Sequence, residues 1–235
     1  MITAAALAAK IDHTVLKAEA GEADVRKIVA EALRFRFASV CVNPAWVDMV
    51  SDLLHAGSGT DGAPVATCGC VGFPLGANRT TIKAVEAASC VKDGAQEIDM
   101  VIFLPALLAG DLPRAKEDVL EVVRAARAVW PAVLVKVILE TAVLTPEQIA
   151  LGCQAAREGG ADFVKTCTGF HPAGGATVDA VRLLKKHAGG MQVKAAGGIR
   201  DAATALAMVE AGADRLGCSA SVAIVQGLAA GVNEC

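Results

Sequence analysis

An eightfold alternation of apparent strand and helix runs through this chain. It predicts an α/β protein, specifically a (β/α)8 barrel of the TIM type with one short extra helix at the N-terminus. Eight units in 235 residues come to about 29 residues each, and such a barrel takes roughly 250 in all. Apolar residues make up 54% and aromatic residues only 3%, with no Tyr, so Ala, Val, Leu and Ile must do the packing. That composition suits buried parallel strands. Polar residues also recur near the ends of nearly every strand. This favours a barrel over an open doubly wound sheet, which usually has one ligand site at one switch point behind a Gly-rich turn. No composition shift or linker divides residues 1–235, which read as a single domain.

The elements follow in order. Met1 to Ala9 is apolar without a charged leading segment, and reads as the extra helix, not a signal peptide. Ile11–Leu16 is the first strand. From Glu22 to Phe37, Val25, Ile28, Val29, Ala32 and Leu33 fall on one helical face. Ser39–Asn43 is the second strand, and Pro44 opens the next helix, where a missing N–H costs nothing. Pro64–Val71 is the third strand, ending in the loop Gly72–Gly76. Asn78 or Thr80 is expected to cap a helix running to about Lys92. Glu97–Ile102 is the fourth strand. Between Pro105 and Trp130 a break at Gly110-Asp111 separates a short helix from a long one. Val133–Leu139 is the fifth strand, and Thr145-Pro-Glu-Gln148 is a helix start. Asp162–Cys167, Met191–Ala196 and Asp214–Gly217 complete the strands, and Ser219 to about Ala230 forms the last helix.

A net charge of −3 gives no basic footprint for nucleic acid. No apolar run reaches the roughly 18–20 residues needed to span a bilayer, and no polybasic or lipidation signal is present. Eight scattered Cys without a C-x-x-C read as reduced thiols of a cytoplasmic protein. Neither they nor His13, His55, His171 and His187 show a metal-ligand spacing, so no metal and no cofactor is expected.

Three lysines lie inside apolar strands: Lys136, Lys165 and Lys194, each 29 residues from the next. Burying an ammonium is costly unless it is paired or functional. In a barrel, Asp12, Cys41, Asp99, Lys136, Lys165 and Lys194 converge on one mouth. Lys165 and Lys194 fall on neighbouring strands, where each ammonium disfavours the charge of the other. An ordinary lysine titrates near about 10.4 and a catalytic one is brought to about 7–8. A neutral amine in a dry pocket attacks carbonyls and forms a Schiff base. Asp99 serves to relay protons, to pair with the lysines, or both. Cys41 has no activating His and reads as pocket lining. Gly169, Gly197-Gly198 and Gly217-Cys218-Ser219 follow strands six to eight. Late barrel loops of this kind hold a phosphate on backbone N–H groups.

Six motifs then resemble one family, the 2-deoxyribose-5-phosphate aldolases. They are Cys41-Val-Asn-Pro44, Gly72-Phe-Pro-Leu-Gly76, Glu97-Ile-Asp-Met100, Lys136-Val-Ile-Leu-Glu140, Phe163-Val-Lys-Thr-Cys-Thr-Gly169 and Val193-Lys-Ala-Ala-Gly-Gly198. The resemblance covers nearly the whole chain. It implies a class I aldolase, free of metal and cofactor, that reversibly cleaves 2-deoxy-D-ribose 5-phosphate to D-glyceraldehyde 3-phosphate and acetaldehyde, with a role in deoxyribose phosphate breakdown. It implies Lys165 as the Schiff-base lysine, Lys194 as the second lysine that lowers its pKa, and Asp99 as proton donor and acceptor with a water. Lys136, Asp12, Cys41 and Thr168 support them, and Gly169, Gly197, Gly198, Gly217 and Ser219 surround the phosphate. A homodimer is implied by the resemblance alone.

The chain departs from the family pattern in three places. Cys167 stands where Ser is usual. Ala220 replaces the second of two adjacent Ser, leaving backbone N–H groups to hold the anion. No Tyr is available in the tail Val232–Cys235, so a water near Asp99 and Lys194 must carry the proton. Two other readings compete: a Schiff-base lyase for another sugar phosphate, which product identification separates, and a silent sugar-phosphate-binding barrel, which forms no imine.

Overall fold

The computed structural model describes residues 2–57 and 64–232. Helix α1 (Ala4–Ala8) precedes β1 (Ile11–Val15), α2 (Glu22–Phe35) and β2 (Ser39–Val42). A 3-10 turn at Pro44–Trp46 leads into α3 (Val47–Gly57). Then come β3 (Ala66–Val71), α4 (Thr80–Lys92), β4 (Glu97–Val101), α5 (Leu104–Leu108), α6 (Leu112–Val129) and β5 (Leu134–Ile138). A 3-10 turn (Thr141–Val143) precedes α7 (Pro146–Glu158) and β6 (Phe163–Lys165). The chain continues through α8 (Val178–His187), β7 (Gln192–Ala196), α9 (Ala202–Glu210), β8 (Arg215–Cys218) and α10 (Ser221–Val232).

The strands lie in chain order, all parallel, and close into a barrel when β8 pairs with β1 through Ile11↔Leu216, Asp12↔Gly217 and His13↔Cys218. Side chains alternate across each strand. Val40, Val42, Ile98, Met100, Val135, Val137, Val164 and Val193 join the apolar core with residues of the helices, such as Val25 and Val29 of α2. The alternate set, Cys68, Glu97, Asp99, Lys136, Lys165 and Lys194, meets across the barrel interior through the contacts given below. Among the described residues no helix is long and apolar enough to cross a membrane.

Local chemistry explains most boundaries. Thr145 caps α7 in a reciprocal box with Gln148, and Pro146 occupies the first turn. Asp111 caps α6 after Gly110 turns the chain at a φ of 70°. Most strand bounds shift by a residue or two, and three differences have a cause or a consequence. Neither Asn78 nor Thr80 caps α4: Arg79 holds that place without a side-chain bond, because Thr80 spends its hydroxyl on Asp118 at 2.8 Å. The sixth strand is shorter than expected at both ends. The Asp162 carboxylate accepts from Val135 N and from Arg127, while the Thr166 hydroxyl bridges Ala196 O and Ala196 N at 2.9 Å each. The last helix begins at Ser221, not Ser219. The reach of the chain past Val232 lies outside the described residues.

One buried ion pair went unseen in the sequence. Lys83 of α4 meets Asp118 of α6 at 2.8 Å and also donates to Val101 O. Asp118 in addition accepts from Phe103 N. The pair ties α4 and α6 to the turn after β4. Its polar atoms are partnered, the condition on which a buried charge pair is tolerated.

Candidate active site

The charged residues do not form a ring at the strand ends, as the sequence reading expected. Asp12, Asp99, Lys136 and Lys194 sit within their strands, and together they make a polar column through the barrel. At its foot Arg215, the first residue of β8, holds Asp12 Oδ1 at 2.9 Å and Glu97, the first residue of β4, at 2.5 Å. Lys136 Nζ lies 2.5 Å from Glu97, 3.0 Å from Asp99 Oδ1 and 3.8 Å from Asp12 Oδ2. Lys194 Nζ lies 2.5 Å from Asp12 Oδ2, a close ion pair without hydrogen-bond alignment. It also donates to Asp99 Oδ2 at 2.7 Å. At the head Lys165, the last residue of β6, donates to the same Oδ2 at 2.7 Å. Lys165 and Lys194 are register partners across β6 and β7, as their spacing suggested.

Asp99 is therefore shared by three lysines. It is fully buried, which alone would raise its pKa, but Lys136, Lys165 and Lys194 hold it well below the usual carboxylate range. Burial likewise opposes charge on Lys136 and Lys194. Asp99, Glu97 and Asp12 more than offset this for Lys136, and Asp12 with Asp99 for Lys194, so both stay protonated well above an ordinary lysine. Lys194 is thus a paired cation lying beside Lys165. Both ammonium groups donate to one oxygen at 2.7 Å, so they lie no more than twice that distance apart. Fully ionised, the column holds four cations (Lys136, Lys165, Lys194, Arg215) against three carboxylates (Asp12, Glu97, Asp99). Among the described residues, Lys165 contacts one carboxylate where each of the other cations contacts at least two.

Lys165 alone of the three lysines lines a cavity of 360 Å³ at the C-terminal mouth. Its walls include Thr168, Gly169, Gly197, Gly198, Gly217 and Ser219, which is where the sequence placed an anion. Lys17 and Arg200, exposed cations that the sequence reading passed over, line it too. Gly197 has a φ of 100°, and a Cβ on it would stand 3.0 Å from Gly175 Cα and 3.3 Å from Gly169 Cα, so a side chain is opposed on both counts. Gly217 differs: a Cβ on it would stand 3.1 Å from Lys194 Cε and 2.9 Å from Ala196 Cβ. Its smallness makes room for Lys194. Thr168 donates its hydroxyl to Glu140 at 2.5 Å, and Glu140 is held in the left-handed region at φ 59°. A non-glycine residue in that region is a strained position of the kind found at functional sites.

Cys41 is not pocket lining. It is fully buried beneath Leu16 and Phe73, in a cluster with Cys68 and Cys70. Cys167 faces Thr141 at 3.4 Å and leaves the cavity to its neighbours. All seven described cysteines are free thiols; Cys235 lies outside the described residues. The sequence shows no metal spacing, yet the fold gathers Cys41, Cys70 and Asp99 with one ligand atom each within 4.8 Å of one another. Glu97, Arg215, Cys68 and Glu140 are the site neighbours that sequence reasoning missed. The first had a readable signal, since Glu97-x-Asp99 puts both carboxylates on one strand face.

A family model described as DeoC/LacD family aldolase matches residues 6–235. A relative from Carboxydothermus hydrogenoformans named deoxyribose-phosphate aldolase is 50% identical over 232 residues, spanning 98% of this chain and 99% of its own. One of the same name from Enterococcus faecalis is 51% identical over 218 residues, spanning 92% and 94%. Among solved structures, one described as QR15, an aldolase, is 38% identical with a TM-score of 0.86, over 97% of this chain and 98% of that one. Fold, motifs and near full-length identity agree: the chain belongs to the DeoC/LacD family of aldolases.

Proposed function

We propose that this aldolase reversibly cleaves 2-deoxy-D-ribose 5-phosphate to D-glyceraldehyde 3-phosphate and acetaldehyde through a Schiff base on Lys165. The observation that carries the reading is the place of Lys165. It is the cavity-facing end of a buried charge column and shares one carboxylate oxygen with Lys194. Of the four cations in the column it is the one that meets the cavity, where a carbonyl can reach its amine. The names of the relatives support the substrate.

The sugar phosphate enters with its anion toward Gly169, Gly197, Gly198, Gly217 and Ser219, with Lys17 and Arg200 at the rim. Lys165 Nζ attacks the aldehyde carbon of the open sugar, and loss of water gives a protonated imine. A base takes the proton of the 3-hydroxyl and the C2–C3 bond breaks. Its electron pair passes into the imine, which becomes a neutral enamine while glyceraldehyde 3-phosphate departs. Protonation at C2 and hydrolysis then release acetaldehyde and free Lys165. Asp99 and the Lys194 ammonium move these protons through a water. Lys136 and Asp12 fix Asp99 and Lys194, and Thr168, anchored on Glu140, shapes the wall beside Lys165. The imine supplies the electron sink from the chain itself, so no cofactor is invoked. A role in deoxyribose phosphate breakdown and assembly as a homodimer belong to the same reading. Exposed Ile82 and Val85 on α4 offer an apolar face for the second copy, which light scattering tests.

The deciding experiment is borohydride trapping. Protein incubated with 2-deoxyribose 5-phosphate, or with acetaldehyde, is reduced and the adduct mapped by mass spectrometry. An adduct on Lys165 is expected. An adduct on Lys194 would exchange the two roles, and none despite sugar-phosphate binding would leave a silent barrel.

A further inference from the structure

We infer that Cys41, Cys70 and Asp99 form a binding site for a thiophilic divalent cation, and that its occupation switches the aldolase off. The three residues come from three adjacent strands, β2, β3 and β4. Cys41 Sγ and Cys70 Sγ stand 3.6 Å apart, and a carboxylate oxygen of Asp99 completes a set within 4.8 Å. A tetrahedral ion with metal–sulfur bonds of about 2.3 Å keeps its sulfurs about 3.8 Å apart. The thiols are thus already at chelating distance. Cys68, two residues before Cys70 and on the same strand face, adds a third thiol 3.3 Å from Asp99 Oδ1. Thiolate-rich sets of this kind select zinc-like soft cations over calcium or magnesium.

The same spacing argues against a disulfide. Cys41 is in register with Cys68, so Cys70 is its diagonal neighbour two residues on. Strand spacing and rise put their Cα atoms about 8 Å apart. A disulfide reaches across no more than about 7 Å without moving the backbone. A cation of larger span bridges the pair without that movement.

Charge also permits the exchange. Binding follows M²⁺ + 2 RSH → M(SR)₂ + 2 H⁺, where the two protons leave from Cys41 and Cys70. The column beside it keeps its total charge. What changes is the allegiance of Asp99, whose carboxylate now turns to the cation while Lys165 and Lys194 lose the oxygen they share. The inhibitory effect rests on the proposed role of those residues; the site itself does not. The route in passes Leu16, which lines the mouth cavity and, with Phe73, packs against the thiols.

The reduced, metal-stripped full chain is titrated with Zn²⁺ alone and with Cd²⁺ alone. Expected are one cation per chain after desalting, a cadmium–thiolate charge-transfer band, release of about two protons per cation, and a loss of turnover that a chelator restores. Cys70→Val, which adds about one methyl group and keeps the position apolar, is expected to retain turnover without cation. Its half-inhibitory concentration should rise at least about tenfold, the lower end of what even an outer-shell change costs in metal affinity. Cys70→Ser serves if the Val variant does not fold. Inhibition unchanged in these variants, or one cation bound with undiminished turnover, overturns the inference. A chain that forms no borohydride adduct even without cation would sink the proposed reaction instead, and leave stoichiometry and absorbance to judge the site.

Discussion

Lys165→Met is expected to make the protein more stable and inactive at once. Methionine matches the lysine stem in length and carries no charge. The column holds one more cation than carboxylates, and Lys165 is the cation with a single partner, an oxygen it divides with Lys194. Its removal leaves three cations on three carboxylates and returns Asp99 Oδ2 to Lys194 alone. Taking buried charge out in favour of an apolar group of like volume is often neutral or stabilising by about 1–4 kcal/mol where no partner is left uncompensated, and Asp99 keeps both Lys136 and Lys194. Lys165 is a partial case because its end meets the cavity, so a gain of about 1–2 kcal/mol is the expectation. In a chain of this size that raises Tm by roughly 2–8 °C, at about 2–4 °C per kcal/mol. Turnover of 2-deoxyribose 5-phosphate should fall by about 10⁴-fold or more, as for loss of any covalent nucleophile. Thermal unfolding and a coupled aldehyde assay read the two effects. A variant less stable than the parent by more than about 1 kcal/mol would refute the charge count, and one that still turns over within tenfold would refute the role of Lys165.

Gly217→Ala should lower kcat more than it lowers stability, because its Cβ would meet Lys194 Cε at 3.1 Å and push that ammonium off Asp99; steady-state kinetics beside a melting curve separate the two. Lys83→Met leaves Asp118 buried without its cation and should cost about 3–5 kcal/mol in denaturant unfolding, with kcat unchanged in the protein that remains folded. Stability should form a plateau in pH. Asp12 and Asp99 have folded pKa values held down, so their contribution is complete above the unfolded value of about 3.9 and is lost as pH falls through the folded ones. Lys136 and Lys194 are held up, so theirs is complete below about 10.4 and is lost as pH rises through the folded values. Urea midpoints across pH would show it, and a steady decline between pH 5 and 9 would contradict it.

The barrel was readable because each unit repeats the same local physics: an apolar strand, a capped helix, a polar turn. Thr145-Pro146 and Gly110-Asp111 declared their boundaries through capping chemistry alone. The lysines stood out because an ammonium in an apolar strand demands a reason, and their equal spacing put Lys165 and Lys194 side by side. What could not be read depended on contacts distant in sequence. Arg215 reaches Asp12 across 203 positions, and nothing near either residue announces it. Thr166 looked like a strand residue because its hydroxyl's capture of Ala196 is a tertiary event. Cys41 was assigned to the pocket for want of any local sign that Cys68 and Cys70 would enclose it.

The polar column has a consequence for when the site comes into being. Lys165 is synthesised before Lys194 and Arg215, and the Asp12 that steadies Lys194 belongs to the first strand. Until β8 docks on β1, Arg215 cannot hold Asp12 and Glu97, and Lys165 stands beside an unfinished column. Contacts this far apart form late, after the loop-closure entropy of the whole chain has been met. Assembly and completion of the proposed site are therefore one event: a half-made or locally opened chain carries the same lysine without the charges that surround it in the closed barrel.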